Sequence, residues 1–524
     1  MKIAIRADAS IAIGTGHIMR CLTLADALDE KGVEIVFLCR PHSGSLIDLI
    51  CEKGYSVFCL EDSISNADSS LMYSGWLGST QKKDAQQCAQ YLKDNLVDWL
   101  IVDHYGLDKV WQLELEPYYR KLMVIDDLGD RAHTCDIILD QNFGSTKKKY
   151  QYLVPESCQI LVGSDFTLLR PEFREWRQYS VKRRHLRDLG HLLINLGGVD
   201  SDNVTTQLIL ELENCDLPKH LCITVVLGPT APHLDKVEQA AKQSKYSVSV
   251  ITGASNMAQI MSNADLAIGA AGSTSWERCS LGLPTILLAI ADNQQPIAIA
   301  LAEAGAAQIM KQVNQLSAQI SEARLKLLEL SKISLKIVDG RGSVRVSHFL
   351  SKAYFNEEKQ ALVPYTALTP EQVSFVLDMR NHAEIRKWMH KKSLISKSEH
   401  LAFVDSLVVR EDKQFFLVQH ADKVLGTINF TGINLTTKKA EFGIFANPFL
   451  SEKGRGNILT ALAVKYARSV LKLTQLDLVV FAGNKVAIDL YEKFGFIQMQ
   501  QSVTNNQCIL KMTKFLVEDF KNEN

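Results

Sequence analysis

The 524-residue sequence predicts an α/β protein of two doubly wound lobes followed by a separate α+β domain. Three observations carry this expectation. The chain exceeds what one core usually holds, roughly 100–200 residues. From residue 2 to about 350, apolar β-rich runs alternate with helical patterns, the mark of parallel sheets covered on both faces. After a polar stretch at 351–361 the runs become short strands separated by turn signals, the texture of a mostly antiparallel sheet.

The elements follow in order. KIAIRAD, EIVFLCR, YSVFCL, DWLIVDH, KLMVIDD and DIILDQN are the expected strands of a first lobe, 1–170. HLLINLGG, CITVVLGP, YSVSVIT, DLAIGAAG and PTILLAI are those of a second, 190–350, closed by a helical pattern at 314–332. Between them, 171–191 is highly charged and carries no strand, so it is the expected connection; such a layout leaves a ligand cleft between the lobes. In the third region, 362–516, VPYTAL, QFFLVQH, KVLGTINF, KKAEFGIFA and LDLVVFA are the expected strands, with helices at 370–390, 396–408, 456–471 and 484–494.

Composition excludes several classes of partner. With 46% hydrophobic residues, 22% charged residues and a net charge of −1, the chain has no charge excess suited to nucleic acid or an anionic membrane, which favours small partners. The eleven cysteines show no C-x-x-C spacing and fall mostly in apolar runs, so reduced, buried thiols are expected rather than a metal site or a disulfide framework. MKIAIRADAS reads as a strand rather than a secretory signal, and the longest apolar run, LPTILLAIA, is far shorter than the roughly 18 residues a membrane span needs. A cytoplasmic enzyme is expected.

The first candidate site is GTGHIMR, 14–20, between the first strand and a helix beginning near Gly16. A dinucleotide fingerprint, G-x-G-x-x-G, would require glycine where Met19 stands. What remains is a helix mouth with free N–H groups and His17 beside it, at the strand end where open parallel sheets bind ligands. A histidine there either packs against the helix start or acts as a general base near neutral pH. The second candidate is GAAGSTSWERCSLGLP, 269–284, where small residues let a backbone approach a ligand and the amides of Gly272 to Ser275 can meet a diphosphate. Ser273 and Thr274 open this helix. Glu277, one turn in, can accept hydrogen bonds from ribose hydroxyls or simply balance the helix dipole. Arg170 and Arg174, spaced i, i+4 by the connection, offer a cation for phosphate or a solvated face.

GAAGSTSWE and DNQQP resemble the nucleotide-diphosphate half of GT-B glycosyltransferases, whose two lobes are Rossmann-like. Together with IRADASIAIGTGHIMRCLTLADAL, IVDHYGLD, VIDDLGDR, ILDQN and LLRPEFRE, the first 350 residues resemble the UDP-sugar hydrolases of pseudaminic acid biosynthesis. The resemblance implies hydrolysis of UDP-2,4-diacetamido-2,4,6-trideoxy-β-L-altropyranose, with His17 as the base for water, Gly16 near the sugar, and Arg174, Gly272, Ser273, Thr274 and Glu277 as substrate-binding residues; no metal is implied. Asp103, His104 and Tyr105 after DWLIV, and Asp126 and Asp127 after KLMVI, then either cap the following helices or contact the acetamido sugar.

In the third region, EFGIFANPFLSEKGRGNILTALAVKYA places a glycine pair at a helix mouth, where Lys453, Arg455 and the amides from Gly454 through Gly456 to Asn457 can meet a pyrophosphate. LDLVVFAGNKVAIDLYEKFGF adds a strand and a helix with Asn484 and Tyr491 seven residues apart. The two segments resemble GNAT acetyltransferases. The acetyl-CoA loop pattern, Q/R-x-x-G-x-G/A, matches at Gly454 and Gly456 and departs at Ser451, while N-x-x-A-I-x-L-Y-E-K-x-G-F is matched throughout 484–496. The resemblance implies acetyl-CoA as cosubstrate, Asn484 as a cofactor contact and Tyr491 as the acid that protonates the departing thiolate; MRNHAEIRKWM is similar to the acceptor-side helices of sugar-nucleotide members. The residues do not identify the base for the amine; Glu441 beside the central strand and an ordered water are both open. The implied acceptor is the 4-amino group of UDP-4-amino-4,6-dideoxy-N-acetyl-β-L-altrosamine, whose acetylated product is the hydrolase substrate. The alternatives are a true GT-B glycosyltransferase and a GNAT of other amine specificity.

Overall fold

In the computed structural model the described residues are 1–30, 32–61, 71–184, 188–198, 200–229, 231–290, 294–351, 360–420, 423–504 and 507–516. The chain forms two compact units, Met1–Ser347 and His348–Asn524. Most of the expected polar linker, 352–359, lies outside the described residues, as do Asp292 and Asn293 of DNQQP.

The first unit contains two parallel sheets. One comprises β1 (Lys2–Ala7), β2 (Glu34–Cys39), β3 (Ser56–Cys59), β4 (Val97–Asp103), β5 (Tyr119–Ile125), β6 (Ile137–Asp140) and β7 (Gln159–Val162), in the order β3-β2-β1-β4-β5-β6-β7. The other comprises β8 (His191–Asn195), β9 (Cys222–Leu227), β10 (Ser247–Thr252), β11 (Leu266–Ala270), β12 (Thr285–Leu288) and β13 (Gln308–Ile309), in the order β10-β9-β8-β11-β12-β13. Strands such as β1, buried from Ile3 to Ala7, are mostly apolar because helices cover both faces, Arg6 being a buried exception. The edge strands β7 and β13 were not expected; at four and two residues they are too short to impose a pattern on the sequence. In both sheets the order reverses beside the first strand, between β1 and β4 and between β8 and β11, and open α/β sheets take ligands at such points.

The charged connection forms a helix, Pro171–Arg184, fastened to the second lobe. Phe173 joins that lobe's core beside Trp276, Arg177 donates to the carbonyls of Leu335 and Val338 at 2.8 Å each, and Arg184 donates to Ala264 and Met261 at 2.7 and 3.0 Å. The chain then returns to the first lobe. Ser164 Oγ donates to the Ile337 carbonyl at 2.6 Å, Arg345 donates to the Asp165 carbonyl at 2.7 Å, and a Cβ on Gly342 would run into the Thr167 backbone. The two crossings between the lobes therefore lie side by side.

The second unit is built on β14 (Gln360–Pro364), β15 (Lys413–His420), β16 (Lys423–Asn434), β17 (Lys439–Ala446), β18 (Gln475–Phe481), β19 (Ile497–Thr504) and β20 (Gln507–Phe515), in the order β14-β15-β16-β17-β18-β20-β19. All neighbours are antiparallel except β17 and β18. That parallel pair is matched only from Lys439↔Gln475 to Glu441↔Asp477, so the strands part beyond it. The helix expected at 370–390 is broken into Pro370–Asn381 and Ala383–Arg386, because His382 turns extended (ψ 138°) and its ring accepts the Glu384 N–H. No helix among the described residues is long and apolar enough to cross a membrane.

Candidate functional site

The first site begins where β1 and β4 end side by side, with Ala7 paired to Asp103. The chain leaves β1 through a turn closed by the Gly14 N–H on the Ser10 carbonyl (2.8 Å) and enters the helix Gly16–Asp29, which carries His17 and Arg20 one turn apart. His17 Nδ1 lies 2.6 Å from Asp103 Oδ1, and Arg20 donates to both Asp103 oxygens at 2.6 Å. Asp103 is fully buried, which opposes its charge, yet the Arg20 guanidinium and His17 hold its carboxyl well below the usual range. A carboxylate at Nδ1 fixes the tautomer and leaves Nε2 as the nitrogen able to take a proton. Arg20 also lies 3.5 Å from Asp127, to which the Tyr105 hydroxyl donates. Tyr105 presents its ring to the edge of His17 at 4.7 Å, with Trp76 stacked on Tyr105 at 5.7 Å.

These groups line a cleft of about 660 Å³ between the two lobes, within the usual range of about 300–1,000 Å³ for small-molecule sites. Gly16, His17, Arg20, Trp76, Tyr105 and Asp127 come from the first lobe, and Gly272, Ser273, Trp276 and Gln294 from the second. The glycine-rich segment leaves β11 at the reversal point of its sheet and opens the short helix Thr274–Ser280 behind Ser273. The Ser275 amide is committed to the Gly272 carbonyl at 2.9 Å, so it is not a donor for a ligand. Thr274 and Glu277 are not among the lining residues: Thr274 Oγ1 accepts from Arg278, and Glu277 faces Arg170 at 3.4 Å, with burial raising its carboxyl.

Arg174 corrects an expectation. Its Cβ lies 3.8 Å from a Cβ placed on Gly340, away from the cleft lining, and it is Arg170 that reaches Glu277. The helix starts at Pro171, so Arg170 precedes it while Arg174 lies within it. Asp103 corrects another, being neither a helix cap nor a surface facing the sugar but the partner of His17. Residue type alone did not signal this; the sheet order does, by setting the end of β4 beside the end of β1, from which the chain turns toward His17. His104 is buried and neutral, its imidazole pushed down to about 3 chiefly by burial, and its Nδ1 accepts the Gly106 N–H at 3.0 Å. Asp126 is held by Arg131 at 2.8 Å and by the Gly129 N–H at 2.9 Å. All eleven cysteines are free thiols; Cys51, Cys59 and Cys222 are exposed rather than buried. Among the described residues no group of three or more His, Cys, Asp or Glu is placed to hold a metal ion.

The second site lies in the second unit, where β17 and β18 part. The helix Arg455–Ser469 starts behind Gly454, whose φ of +86° an L side chain rarely adopts. A Cβ on Gly456 would stand 3.0 Å from the Leu490 side chain, so glycine keeps the two helices close. Arg455 is folded back onto the Asn447 and Glu452 carbonyls, which braces the loop rather than presenting a cation. The Asn457 amide donates to Gly454 at 3.0 Å and its side chain accepts from Lys493 at 3.0 Å, leaving the amides of Gly454 to Gly456 as the candidates for a phosphate. Asn484 caps the helix Lys485–Lys493 through the Ala487 N–H at 3.3 Å. Tyr491 is buried against Phe442 and Phe496, and burial pushes its phenol up to about 12, so it keeps its proton. Glu441 sits exposed at the last matched position before the strands part. The segment 380–397 carries six lysines and arginines against Glu384 alone, and it borders this opening: Trp388 is 3.8 Å from a Cβ on Gly483, and Lys392 lies over Phe481 at 5.8 Å.

Comparison with known proteins accords with this division. Residues 194–336 match the glycosyltransferase family 28 C-terminal domain, and 377–496 match the acetyltransferase (GNAT) family. The UDP-2,4-diacetamido-2,4,6-trideoxy-beta-L-altropyranose hydrolase of Campylobacter jejuni is 28% identical over 307 residues, 58% of this chain and 97% of that protein. The acetyltransferase PseH of C. jejuni is 37% identical over 132 residues, 25% of this chain and 81% of that protein. The crystal structure of MurG from Acinetobacter baumannii aligns with a TM-score of 0.51 over 67% of this chain and 99% of that one, at 17% identity, a likeness of fold. The chain thus joins a GT-B unit homologous to the altropyranose hydrolase to a second unit through which it belongs to the GNAT acetyltransferase family of PseH.

Proposed function

We propose that the chain performs two consecutive steps of pseudaminic acid biosynthesis in the cytoplasm. The second unit acetylates the 4-amino group of UDP-4-amino-4,6-dideoxy-N-acetyl-β-L-altrosamine, and the first hydrolyses the resulting UDP-2,4-diacetamido-2,4,6-trideoxy-β-L-altropyranose. The observation that carries the hydrolase is the His17–Asp103 pair facing Gly272 and Ser273 across one cleft. His17 Nε2 takes a proton from water as the water oxygen bonds to the anomeric carbon; the bond from that carbon to the diphosphate oxygen breaks, giving the free sugar, inverted at that centre, and UDP. Before the step, Asp103 and Asp127 carry two negative charges against one on Arg20, so the proton arriving on His17 balances the cluster. A diphosphate is already a good leaving group, which removes the need for the two carboxylates of ordinary glycosidases.

In the second unit, acetyl-CoA supplies the acetyl group when bound, and the parted strands with the Gly454–Gly456 amides suit its pantetheine arm and pyrophosphate. Tyr491, protonated up to about pH 12, holds the proton that the departing thiol requires. The basic segment 380–397 favours an anionic nucleotide sugar over a polycationic amine. The test is to incubate the chain with acetyl-CoA and the 4-amino precursor and follow CoA thiol and free UDP by NMR. Both products in that order are expected. UDP release only when a second sugar acceptor is added would instead identify a glycosyltransferase.

A further inference from the structure

Arg278 lies on the helix Thr274–Ser280 and is 1% exposed. Its side chain folds back beneath the glycine-rich loop. Nη2 donates to the Ala270 carbonyl at 2.6 Å and to Ser275 Oγ at 3.1 Å, and Nη1 donates to Thr274 Oγ1 at 3.1 Å. The guanidinium is pressed against Gly269, where a Cβ would stand 2.7 Å from Cζ. Each of these partners is neutral, and Nε is buried without any hydrogen-bond partner.

Arg177 and Arg184 also rest on backbone carbonyls but are more open to solvent, whereas the other arginines of this unit exposed by less than 2% each hold a carboxylate. Arg6 holds Asp8 and Asp84, Arg40 holds Asp84, and Arg345 holds Asp339. No carboxylate forms an ion pair or hydrogen bond with Arg278 among the described residues; its neighbour Glu277 acts on it only through space and faces Arg170 instead. A cation taken out of water without a counter-ion is strongly unfavourable, and a well-packed apolar side chain would fill the same space at lower cost. The loop that Arg278 braces is the one whose Gly272 and Ser273 line the cleft.

We propose that Arg278 is the missing counter-charge for the UDP diphosphate, a positioning residue whose field reaches the ligand through the Ala270–Ser275 loop. The inference rests on the reading of the first unit as a UDP-sugar hydrolase. The protein then arrives at the cleft with a buried guanidinium that makes no ion pair, and the diphosphate supplies the direct counter-charge. As the bond from sugar to diphosphate breaks, the negative charge on UDP grows, so the same field favours departure over the bound ground state. Because the guanidinium already lies in a low-dielectric setting with its neighbours fixed, no reorganisation is needed at the moment of reaction.

A merely structural brace would act on every ligand of the loop alike, whereas a counter-charge discriminates by ligand charge. Full-length Arg278→Gln and Arg278→Lys proteins are compared with wild type for UDP and uridine binding by calorimetry and for hydrolysis, with acetyl transfer by the second unit as a control for intact protein. Arg278→Gln should weaken UDP by about tenfold or more and uridine by less than about twofold. Arg278→Lys should recover most of the UDP affinity. In wild type, the Arg278 Nε–H resonance should move on adding UDP and stay in place with uridine, a readout that needs no variant to fold. Equal losses for UDP and uridine, unchanged UDP affinity in Arg278→Gln, or a resonance that ignores UDP would each overturn the assignment while leaving the hydrolase reading intact. A wild-type chain that binds neither ligand would overturn both.

Discussion

His17 and Asp103 set the expectations at the scale of single residues. His17→Asn should keep UDP affinity within about twofold while hydrolysis falls by about 10²–10⁴-fold, the usual worth of a positioned base. Asp103→Asn leaves the shape of the site and removes the charge that fixes the Nδ1 proton, so it should fall in the same range, with Arg20 left lacking its strongest partner. Both are read by UDP release and by calorimetry on the same preparations. The placement of His17 at a cleft was legible because a glycine-rich turn carries it just beyond the first strand of an open parallel sheet. The role of Asp103 was not, since a carboxylate after a strand looks alike whether it caps a helix or orients a base; only the adjacency of β1 and β4 separates the two. Arg455 and Asn484 carry the same lesson. Their sequence positions match a cofactor loop, while in the structure their side chains brace a loop and cap a helix.

Among elements, the helix Gln81–Leu92 ties three parts of the first lobe together through Asp84. This carboxylate accepts from Arg6 on β1, from Arg40 just after β2 and from the Trp111 indole, all buried. Asp84→Asn leaves two guanidinium groups short of charge and should destabilise the unit by about 3–5 kcal/mol in urea unfolding. Burial opposes ionisation of Asp8, Asp84 and Asp103, yet their arginine partners win and hold all three below the ordinary carboxylate range. A carboxyl depressed in the folded state adds stability above its unfolded value, about 3.9, and loses it as pH falls toward the folded value. Thermal unfolding should therefore be nearly flat between about pH 5 and 7 and drop steeply below about pH 4. The long parallel strands were legible from sequence because burial on both faces leaves them mostly apolar, with Arg6 of β1 and Asp103 of β4 as buried, paired exceptions. β7, β13 and β19 were not, because short or exposed edge strands carry no such constraint, and neither was β20, which lies beside β19 and is only partly buried.

For the whole molecule, two separate units hold the two sites, so defects in them should complement one another. Tyr491→Phe should lower acetyl transfer by about 10²-fold. Mixed with His17→Asn, it should restore complete conversion of the 4-amino precursor to free sugar and UDP, with a lag that shortens as protein concentration rises. A mixture no better than either variant alone would mean that the intermediate never leaves one chain. The division into a doubly wound half and an antiparallel half was legible from the change in strand texture near residue 360. The path of the chain between the lobes was not, because the contacts that settle it are backbone carbonyls met by Arg177, Arg184 and Arg345. That path has a mechanical consequence. Crossings set far apart would lock the lobes at two points, whereas crossings packed together at Thr167 and Gly342 act as a hinge with one axis. A rotation about that axis would alter the spacing between His17 and the loop of Gly272 and Ser273, and with it the width of the cleft.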